Sequence, residues 1–168
     1  DKTGTITEGR LSVVELATGN GQVFQSLDQM PDSLAADVVI GAGVNNSASV
    51  SGGSIIGGNS TDRALMAFLN AAGRAGSLTK EGVKSFSAFD SNKKRSSVVM
   101  ERGGKCETYL KGAPERIIEE CAYYIDEKGR RQALTDKQAS PPIPLNRPTA
   151  PCACWPWPRR TATGTTGT

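Results

Sequence analysis

Phe89-Asp90-Ser91-Asn92-Lys93-Lys94-Arg95-Ser96-Ser97-Val98 joins two segments that both have the character of a β-strand. The segment before the turn, residues 83–89, alternates along one side, which carries Val83, Ser85, Ser87 and Phe89. The segment after it, residues 96–100, predicts a second strand, and Asp90-Ser91-Asn92 supplies the turn. The stretch therefore predicts an antiparallel hairpin with one aromatic ring and three cations at its mouth.

The mouth of this hairpin has two interpretations. Phe89 beside Lys93-Lys94-Arg95 could stack a purine and hold a polyphosphate, because cations attract phosphate oxygens and pack on aromatic faces. A core phenylalanine beside a solvated basic turn would have the same sequence, and it is the commoner arrangement. These residues alone leave both interpretations open.

A third strand is predicted over residues 106–111, after the turn Arg102-Gly103-Gly104-Lys105. Lys111 ends this strand, and Gly112 would let a ligand approach the backbone closely because glycine has no Cβ. Pro114 predicts the first turn of a helix whose apolar face carries Ile117, Ile118 and Cys121. By itself, Lys111 is equally consistent with an exposed surface cation.

Two elements are predicted near the start of the chain. Residues 11–24 suggest a hairpin around the turn Thr18-Gly19-Asn20-Gly21. Residues 34–44 predict a helix with Asp32 or Ser33 as its N-cap, and its apolar face carries Leu34, Val38 and Ala42.

The Gly-rich segment 51–59 has the G-x-x-x-x-G spacing of a phosphate loop, but Asn59 stands where that loop needs a lysine. The better interpretation is a loop that delivers Ser60 or Thr61 as the N-cap of a helix. The apolar face of this helix would carry Ala64, Leu65, Phe68, Leu69 and Ala72. Asp62 then lies in the first turn, where a carboxylate favours the helix dipole.

Asp1-Lys2-Thr3-Gly4-Thr5-Ile6-Thr7 combines a carboxylate, a cation, hydroxyls and a glycine. Asp1 could attack a γ-phosphoryl group to form an aspartyl-phosphate, with Lys2, Thr3 and Thr5 as candidate donors to the phosphate oxygens. The meeting of two anions requires screening, which a Mg²⁺ ion would supply. A polar turn that closes a strand would use the same residue types.

Four motifs together carry a resemblance to the type II P-type cation-transporting ATPases. Asp1 to Thr7 resembles the phosphorylation motif of that family, and Lys111-Gly112-Ala113-Pro114-Glu115 resembles its nucleotide-domain motif. Gly58-Asn59-Ser60-Thr61-Asp62-Arg63-Ala64-Leu65 and the segment Phe89 to Val98 resemble two further family segments that lie between them. The four motifs occur in the family's order, and this makes the resemblance specific.

The resemblance implies an α/β (α+β) fold, in which an antiparallel sheet flanked by helices is inserted into a Rossmann-like phosphorylation domain. Residues 1–9 would begin the phosphorylation domain, and residues 10–139 would form an incomplete nucleotide-binding domain. Residues 140–168 would be an aberrant Pro/Thr/Gly-rich tail. The later segments of the phosphorylation domain, the actuator domain and the membrane segments are expected to be missing.

The resemblance also assigns roles to single residues. It implies that Asp1 is phosphorylated with Lys2 and Thr3 beside it, and that Asp1 and Thr3 bind Mg²⁺. For ATP, it implies a purine stacked on Phe89, an adenine amino group at Asp62, and nucleotide contacts from Lys94, Lys111 and Gly112. Ser96 departs from the methionine usual in the family, which should weaken packing rather than chemistry.

The parent protein implied is an ATPase that transports a cation, with Ca²⁺ favoured and Na⁺, K⁺ or H⁺ open. It would lie in a membrane through segments absent here, with this part on the cytoplasmic side. The alternative is an isolated nucleotide-binding module without catalytic activity. A phosphatase of the dehalogenase type is disfavoured, because Thr3 stands where those enzymes place a second aspartate.

Composition narrows the function further. The chain has 168 residues and no histidine, which excludes Ser-His-Asp and histidine-metal chemistry. Residues 1–139 carry all 17 acidic residues and 17 of the 20 basic residues, so no basic face for nucleic acid is predicted. The sequence also lacks an apolar run near the roughly 18 residues that a membrane span needs.

The last part of the chain changes character. Glu127-Lys128-Gly129-Arg130 predicts one more hairpin turn, but residues 140–168 contain no acid and include Trp155-Pro156-Trp157-Pro158. A Pro-rich disordered linker would explain this composition. A shift of the reading frame near residue 140 is the preferred hypothesis, because back-translation of residues 152–158 in another frame permits a strand typical of the family.

Overall fold

The computed structural model describes residues 11–134. The predicted phosphorylation loop, with Asp1, Lys2 and Thr3, lies outside the described residues, as does the tail from residue 140. The predictions for these two segments therefore stay predictions.

The described part of the chain combines four antiparallel sheets with three α-helices, which confirms the predicted mixed fold class. The first half contains β1 (Leu16–Ala17), β2 (Val23–Phe24), α1 (Asp32–Val39), β3 (Ala48–Ser51), β4 (Ser54–Gly57) and α2 (Ser60–Ala71). The second half contains β5 (Val83–Asp90), β6 (Arg95–Arg102), β7 (Lys105–Gly112), α3 (Pro114–Glu120), β8 (Tyr123–Ile125) and β9 (Arg131–Ala133).

The largest sheet has the order β5-β6-β7 and is built from two consecutive hairpins. The first hairpin confirms the predicted strand, turn and strand around residues 89–98. The second closes at Gly103 and Gly104, whose φ angles of 55° and 75° suit a two-residue turn that matches the strand twist. Because β5 and β7 both run antiparallel to the central strand β6, their last residues, Asp90 and Gly112, lie on either side of Arg95 at the same end of the sheet.

Two bulges break the predicted alternation of β5. Val83 pairs with Met100 and Ser85 with Val99, while Ser87 pairs with Ser97 and Asp90 with Arg95, so each bulge adds one residue to β5. The second bulge places both Ala88 and Phe89 opposite Ser96. The prediction that Phe89 shares a face with Ser85 and Ser87 is therefore wrong. The serine-rich strand gave no apolar signal that could locate the bulges.

The helices cover one face of this sheet. The cluster under β1, β2 and the first two helices contains Leu16, Phe24, Leu27, Met30, Val38, Ala42, Leu65 and Leu69. The cluster on the sheet contains Val44, Val98, Met100 and Tyr109. Leu78 packs against both clusters, so the helices and the sheet share a continuous apolar interior.

The predicted helix over residues 34–44 is present but changes its winding. Helix α1 begins at Asp32, with Pro31 rather than Asp32 or Ser33 in the cap position, and the chain continues as a π-helical turn over Ile40–Val44. A wider turn of this kind re-aims the backbone that follows it. Asn45 directly follows this turn.

The Gly-rich segment is a hairpin rather than the predicted loop. Strands β3 and β4 pair in register, and Gly52 and Gly53 form the turn with φ angles of 56° and 78°. The cap of α2 is Asn59, whose side-chain oxygen accepts the backbone N–H of Asp62 at 2.8 Å. The predicted caps Ser60 and Thr61 are thus the first residues of the helix.

The remaining helix predictions are mostly confirmed. Ala64, Leu65 and Leu69 of α2 are buried, but Ala72 is exposed and Met66 is buried in addition. Pro114 is the first residue of α3, as predicted.

The last hairpin, β8 and β9, is fixed by the side chain of Asp126 in its turn. This carboxylate accepts the backbone N–H groups of Lys128 at 3.0 Å and Arg130 at 2.8 Å, and the side chains of Arg130 at 3.2 Å and Gln132 at 3.0 Å. Burial alone would raise the pKa of Asp126, but these hydrogen bonds and the charge of Arg130 lower it to about 2. The ionised carboxylate therefore stabilises the folded hairpin.

We expect Asp126→Asn to lower the melting temperature at neutral pH. Because the folded-state pKa is below the ordinary 3.8, the contribution of the carboxylate is complete above about pH 5. It should disappear as the pH falls through about 2. Thermal melts of the wild type and the variant across this range would measure the difference.

The matched control is Asp28→Asn, because Asp28 forms only an exposed ion pair with Arg74 at 3.5 Å. That variant should melt like the wild type at every pH. A melting difference for Asp126→Asn that did not change with pH would contradict the assigned role.

Candidate functional site

Three predicted site segments meet at one end of the central sheet. In the register of β6 and β7, Ser96 lies opposite Lys111 and Arg95 lies opposite Gly112. On the other side of β6, Arg95 pairs with Asp90, the residue that follows Phe89. The hairpin turn with Lys94 therefore lies between the end of β5 and the end of β7.

Lys111 is held in a largely buried ion pair. Its Nζ contacts Oδ1 of Asp62 and donates a hydrogen bond to the backbone carbonyl of Asn45 at 2.5 Å. The side chains of Lys111 and Asp62 are only 12% and 4% exposed. The alternative of an exposed surface cation is thus wrong, and the two residues that the motifs singled out 49 positions apart are partners.

The first turn of α2 delivers the carboxylate. Oδ2 of Asp62 accepts the backbone N–H of Ser47 at 3.3 Å, so both oxygens of the carboxylate are engaged. Asp62 is therefore not confined to the helix-dipole role that its position in the first turn also allows.

The electrostatics of the pair are those of a buried site. Burial lowers the pKa of Lys111, and the hydrogen bond and charge of Asp62 oppose that shift. A buried ion pair contributes little net stability, because the desolvation of two charges offsets their attraction. The pair therefore fixes the position of α2 relative to the sheet more than it adds to the net stability of the fold.

Lys94 has an unusual backbone conformation. Its φ is 54°, the only positive value for a non-glycine residue within residues 11–134. The turn is closed by Lys94 N–H, which donates to the carbonyl of Asp90 at 2.7 Å, and by Oδ1 of Asp90, which accepts the N–H groups of Asn92 and Lys93. Such left-handed residues cost about 1–3 kcal/mol and cluster at functional sites.

Gly112 allows this turn to rest against β7. A Cβ on Gly112 would lie 2.3 Å from the carbonyl oxygen of Lys94, which is a steric overlap with backbone. The same carbonyl accepts the N–H of Ala113 at 3.1 Å. The glycine is therefore needed for close approach of the turn, and it positions Lys94 beside the end of the strand that carries Lys111.

Phe89 is 45% exposed, and Phe86 on the same strand is 44% exposed. The register places Phe89 opposite Ser96, which is paired with Lys111 across β6 and β7. The ring therefore lies on the sheet face that also carries Lys111 and is not buried in the core. This excludes the interpretation of Phe89 as a core residue and leaves its ring available to a ligand.

Asn45 is a residue of this site that the sequence motifs did not identify. This residue is fully buried, and its side-chain Nδ2 donates to the carbonyls of Tyr109 at 3.1 Å and Ser96 at 3.4 Å. Ser96, which was expected only to weaken packing, donates from Oγ to the carbonyl of Lys111 at 3.4 Å. The one signal in the sequence was the polar pair Asn45-Asn46 directly after an apolar run.

Two further properties concern metal ions and the membrane. Within residues 11–134, His, Cys, Asp and Glu do not form a group of three that could hold a metal ion. In the same part of the chain, each helix is too short or too polar to cross a bilayer. The predicted Mg²⁺ ligands Asp1 and Thr3 are outside this part.

We expect Lys94→Gly to raise the free energy of unfolding by about 0.5–1 kcal/mol, because glycine adopts a positive φ without strain. The greater conformational entropy of glycine in the unfolded chain offsets only part of this gain. The control is Lys93→Gly at the neighbouring position, which has no positive φ. It should lower stability by about 0.5–1 kcal/mol. Urea denaturation measures both, and equal destabilisation by the two variants would contradict the strain at Lys94.

The sequence of this chain matches a known protein family. Residues 35–141 match the family described as P-type ATPase, cytoplasmic domain N. Calcium-transporting ATPase 8, plasma membrane-type, of Arabidopsis thaliana is 31% identical over 152 residues, which cover 83% of this chain and 14% of the relative. Plasma membrane calcium-transporting ATPase 4 of Bos taurus is 29% identical over 153 residues, which cover 82% and 13%.

The calcium-transporting ATPase PAT1 of Dictyostelium discoideum is 29% identical over 150 residues, which cover 83% of this chain. The chain spans 13% to 14% of the length of these three relatives. With more than half of its residues matched by the family and a mixed antiparallel fold, the chain belongs to the P-type ATPases and carries their cytoplasmic N domain.

Proposed function

We propose that this chain is the ATP-binding and phosphorylation-site part of a P-type ATPase that couples ATP hydrolysis to cation transport. The observation that carries the proposal is the buried pair of Lys111 and Asp62, which lies at the end of a sheet face on which Phe89 is exposed. A buried charged pair next to an exposed aromatic ring is suited to bind a flat, polar ligand.

The purine would stack on the ring of Phe89. Stacking of a base on an aromatic side chain contributes about 1–3 kcal/mol. Asp62 would accept a hydrogen bond from the exocyclic amino group of adenine, because an ionised carboxylate can only accept. Guanine presents a carbonyl oxygen at the equivalent position, so the same carboxylate would disfavour it.

The triphosphate would meet the basic turn. Lys93 and Lys94 are exposed, and Arg95 follows them at the start of β6. Cations near phosphate oxygens form charge-assisted hydrogen bonds. The close contact between Gly112 and the Lys94 carbonyl holds this turn beside Lys111, so base and phosphate contacts would be fixed relative to each other.

The chemical step would take place at Asp1. A carboxylate oxygen of Asp1 attacks the γ-phosphorus, the bond from that phosphorus to the β–γ bridging oxygen breaks, and ADP leaves with the electron pair. Lys2 and Thr3 would donate to the phosphoryl oxygens. The oxygens of Asp1 and Thr3 suit Mg²⁺, which would supply charge screening when bound.

The transported cation is proposed from the relatives, which are calcium-transporting ATPases by name. Ca²⁺ is favoured for this reason, with a parent protein in a membrane and this domain on the cytoplasmic side. The alternative is a module that binds ATP and catalyses nothing by itself.

Binding of ATP is tested first, with the 168-residue chain. We expect Phe89→Ala to weaken ATP affinity by about tenfold or more, because it removes the stacking surface. The matched control is Phe86→Ala, since Phe86 is equally exposed on the same strand. Calorimetric titration with ATP measures both, and equal affinities for wild type and Phe89→Ala would overturn the proposed site.

Phosphorylation is tested separately with radiolabelled ATP and Mg²⁺. In a full-length pump that contains this segment, we expect acid-stable, hydroxylamine-sensitive label that Asp1→Asn abolishes. In the 168-residue chain alone, ATP binding without label would support the alternative of a binding module. Label that persists in Asp1→Asn would contradict the assignment of the nucleophile.

A further inference from the structure

Asn45 lies where the helical layer meets the end of the sheet. It follows the π-helical turn over Ile40–Val44, and its N–H donates to the carbonyl of Ile40 at 3.2 Å. Its backbone then leaves the helical region, with φ of −79° and ψ of 60°. The wider turn ends with the carbonyl of Asn45 directed at the ammonium group of Lys111, at 2.5 Å.

The side chain of Asn45 fixes this carbonyl relative to the sheet. Nδ2 donates to the carbonyls of Tyr109 on β7 and Ser96 on β6. Ser96 is the register partner of Lys111, and Tyr109 precedes Lys111 by two residues on the same strand. The side-chain amide of Asn45 thus binds backbone carbonyls of β6 and β7 close to Lys111. The backbone carbonyl of Asn45 accepts the hydrogen bond from the Lys111 side chain.

The amide of Asn45 is satisfied at one end only. Its Oδ1 is buried and has no hydrogen-bond partner among the described residues. An unsatisfied buried acceptor costs about 1–3 kcal/mol. A leucine has the same branching and would avoid that cost, but it would leave the carbonyls of Ser96 and Tyr109 without their donor, so what the asparagine contributes is the connection to these two strands.

The neighbouring Asn46, in contrast, has a side-chain amide that is hydrogen-bonded at both ends. Its Nδ2 donates to the carbonyls of Ala42 at 2.7 Å and Asp62 at 2.9 Å, and its Oδ1 accepts the N–H of Ala48 at 2.7 Å. Both ends of its amide are satisfied by Ala42, Asp62 and Ala48, the first residue of β3. These hydrogen bonds of Asn46 stay between the helices and β3, whereas those of Asn45 reach β6 and β7.

We propose that Asn45 is a positioning residue: it fixes the ammonium of Lys111 against Asp62 and thereby orients the carboxylate that receives the purine. This inference rests on the proposed function, because it assigns a task within that same ATP site. Asn45 acts through Lys111 and does not itself touch the nucleotide.

The experiment is a double-mutant cycle in the 168-residue chain, with ATP affinity as the readout. Asn45→Leu fills the volume and removes the amide donors. We expect it to raise the Kd for ATP about five- to tenfold. In a Lys111→Met background it should cause no further loss, because the group it positions is already gone.

Val98→Ala is the control for a loss of stability. Val98 is buried on β6, two residues from Ser96, and its truncation should lower the melting temperature without weakening ATP binding. The second readout needs no nucleotide: the ¹³Cε resonance of Lys111 should shift in Asn45→Leu and stay in place in Val98→Ala. If Asn45→Leu fails to fold, Asn45→Ser keeps one donor and should give a smaller loss of affinity.

The possible outcomes distinguish a failure of the proposed function from a failure of the role proposed for Asn45. Unchanged ATP affinity in both Lys111→Met and Phe89→Ala would overturn the proposed function itself. Weakened binding in those variants, together with unchanged binding in Asn45→Leu, would overturn the inference alone. Independent losses that multiply in the Asn45→Leu/Lys111→Met double variant would do the same, because they would show that Asn45 does not act through Lys111.

Discussion

The ion pair between Lys111 and Asp62 joins the end of the central sheet to the first turn of α2. The two charges are removed from water, so each needs the other and the backbone groups around it. This requirement fixes where the helix begins relative to the sheet, and it determines which end of the sheet stays open. The ring of Phe89, the strained turn and Gly112 are all arranged around that end.

Opposite ends of the same sheet are built differently. At the Lys111 end, a bulge in β5 moves Phe89 onto the helix-facing side, where the helices do not fully cover it. At the other end, Arg102 bonds to the hydroxyl of Tyr109, which in turn donates to Glu107. One end thus carries a polar network of its own strands, and the other keeps an apolar ring and the charged groups of the turn exposed.

The local parts of this architecture could be predicted from sequence. Turn residues located four of the five hairpins, the exception being β3 and β4, and the motifs identified Lys111 and Asp62 without indicating their contact. Asn59 as the cap, the bulge before Asp90 and the role of Asn45 could not be predicted in the same way. Asn59 competes with Ser60 and Thr61, which are equally suitable cap residues. The bulge adds a residue to a serine-rich strand, and Asn45 bonds to carbonyls 51 and 64 positions away, so neither leaves a periodic signal.

The separation of the partners along the chain has a consequence for folding. The strands β5, β6 and β7 pair through tight turns and can zip together locally, whereas Lys111 bonds to groups 49 and 66 positions away. Closure of such long loops carries an entropic penalty and is slow. We therefore expect the hairpins to form early, and the contacts of Lys111 with Asp62 and Asn45 to form only in a late step, when the helical half docks on the sheet.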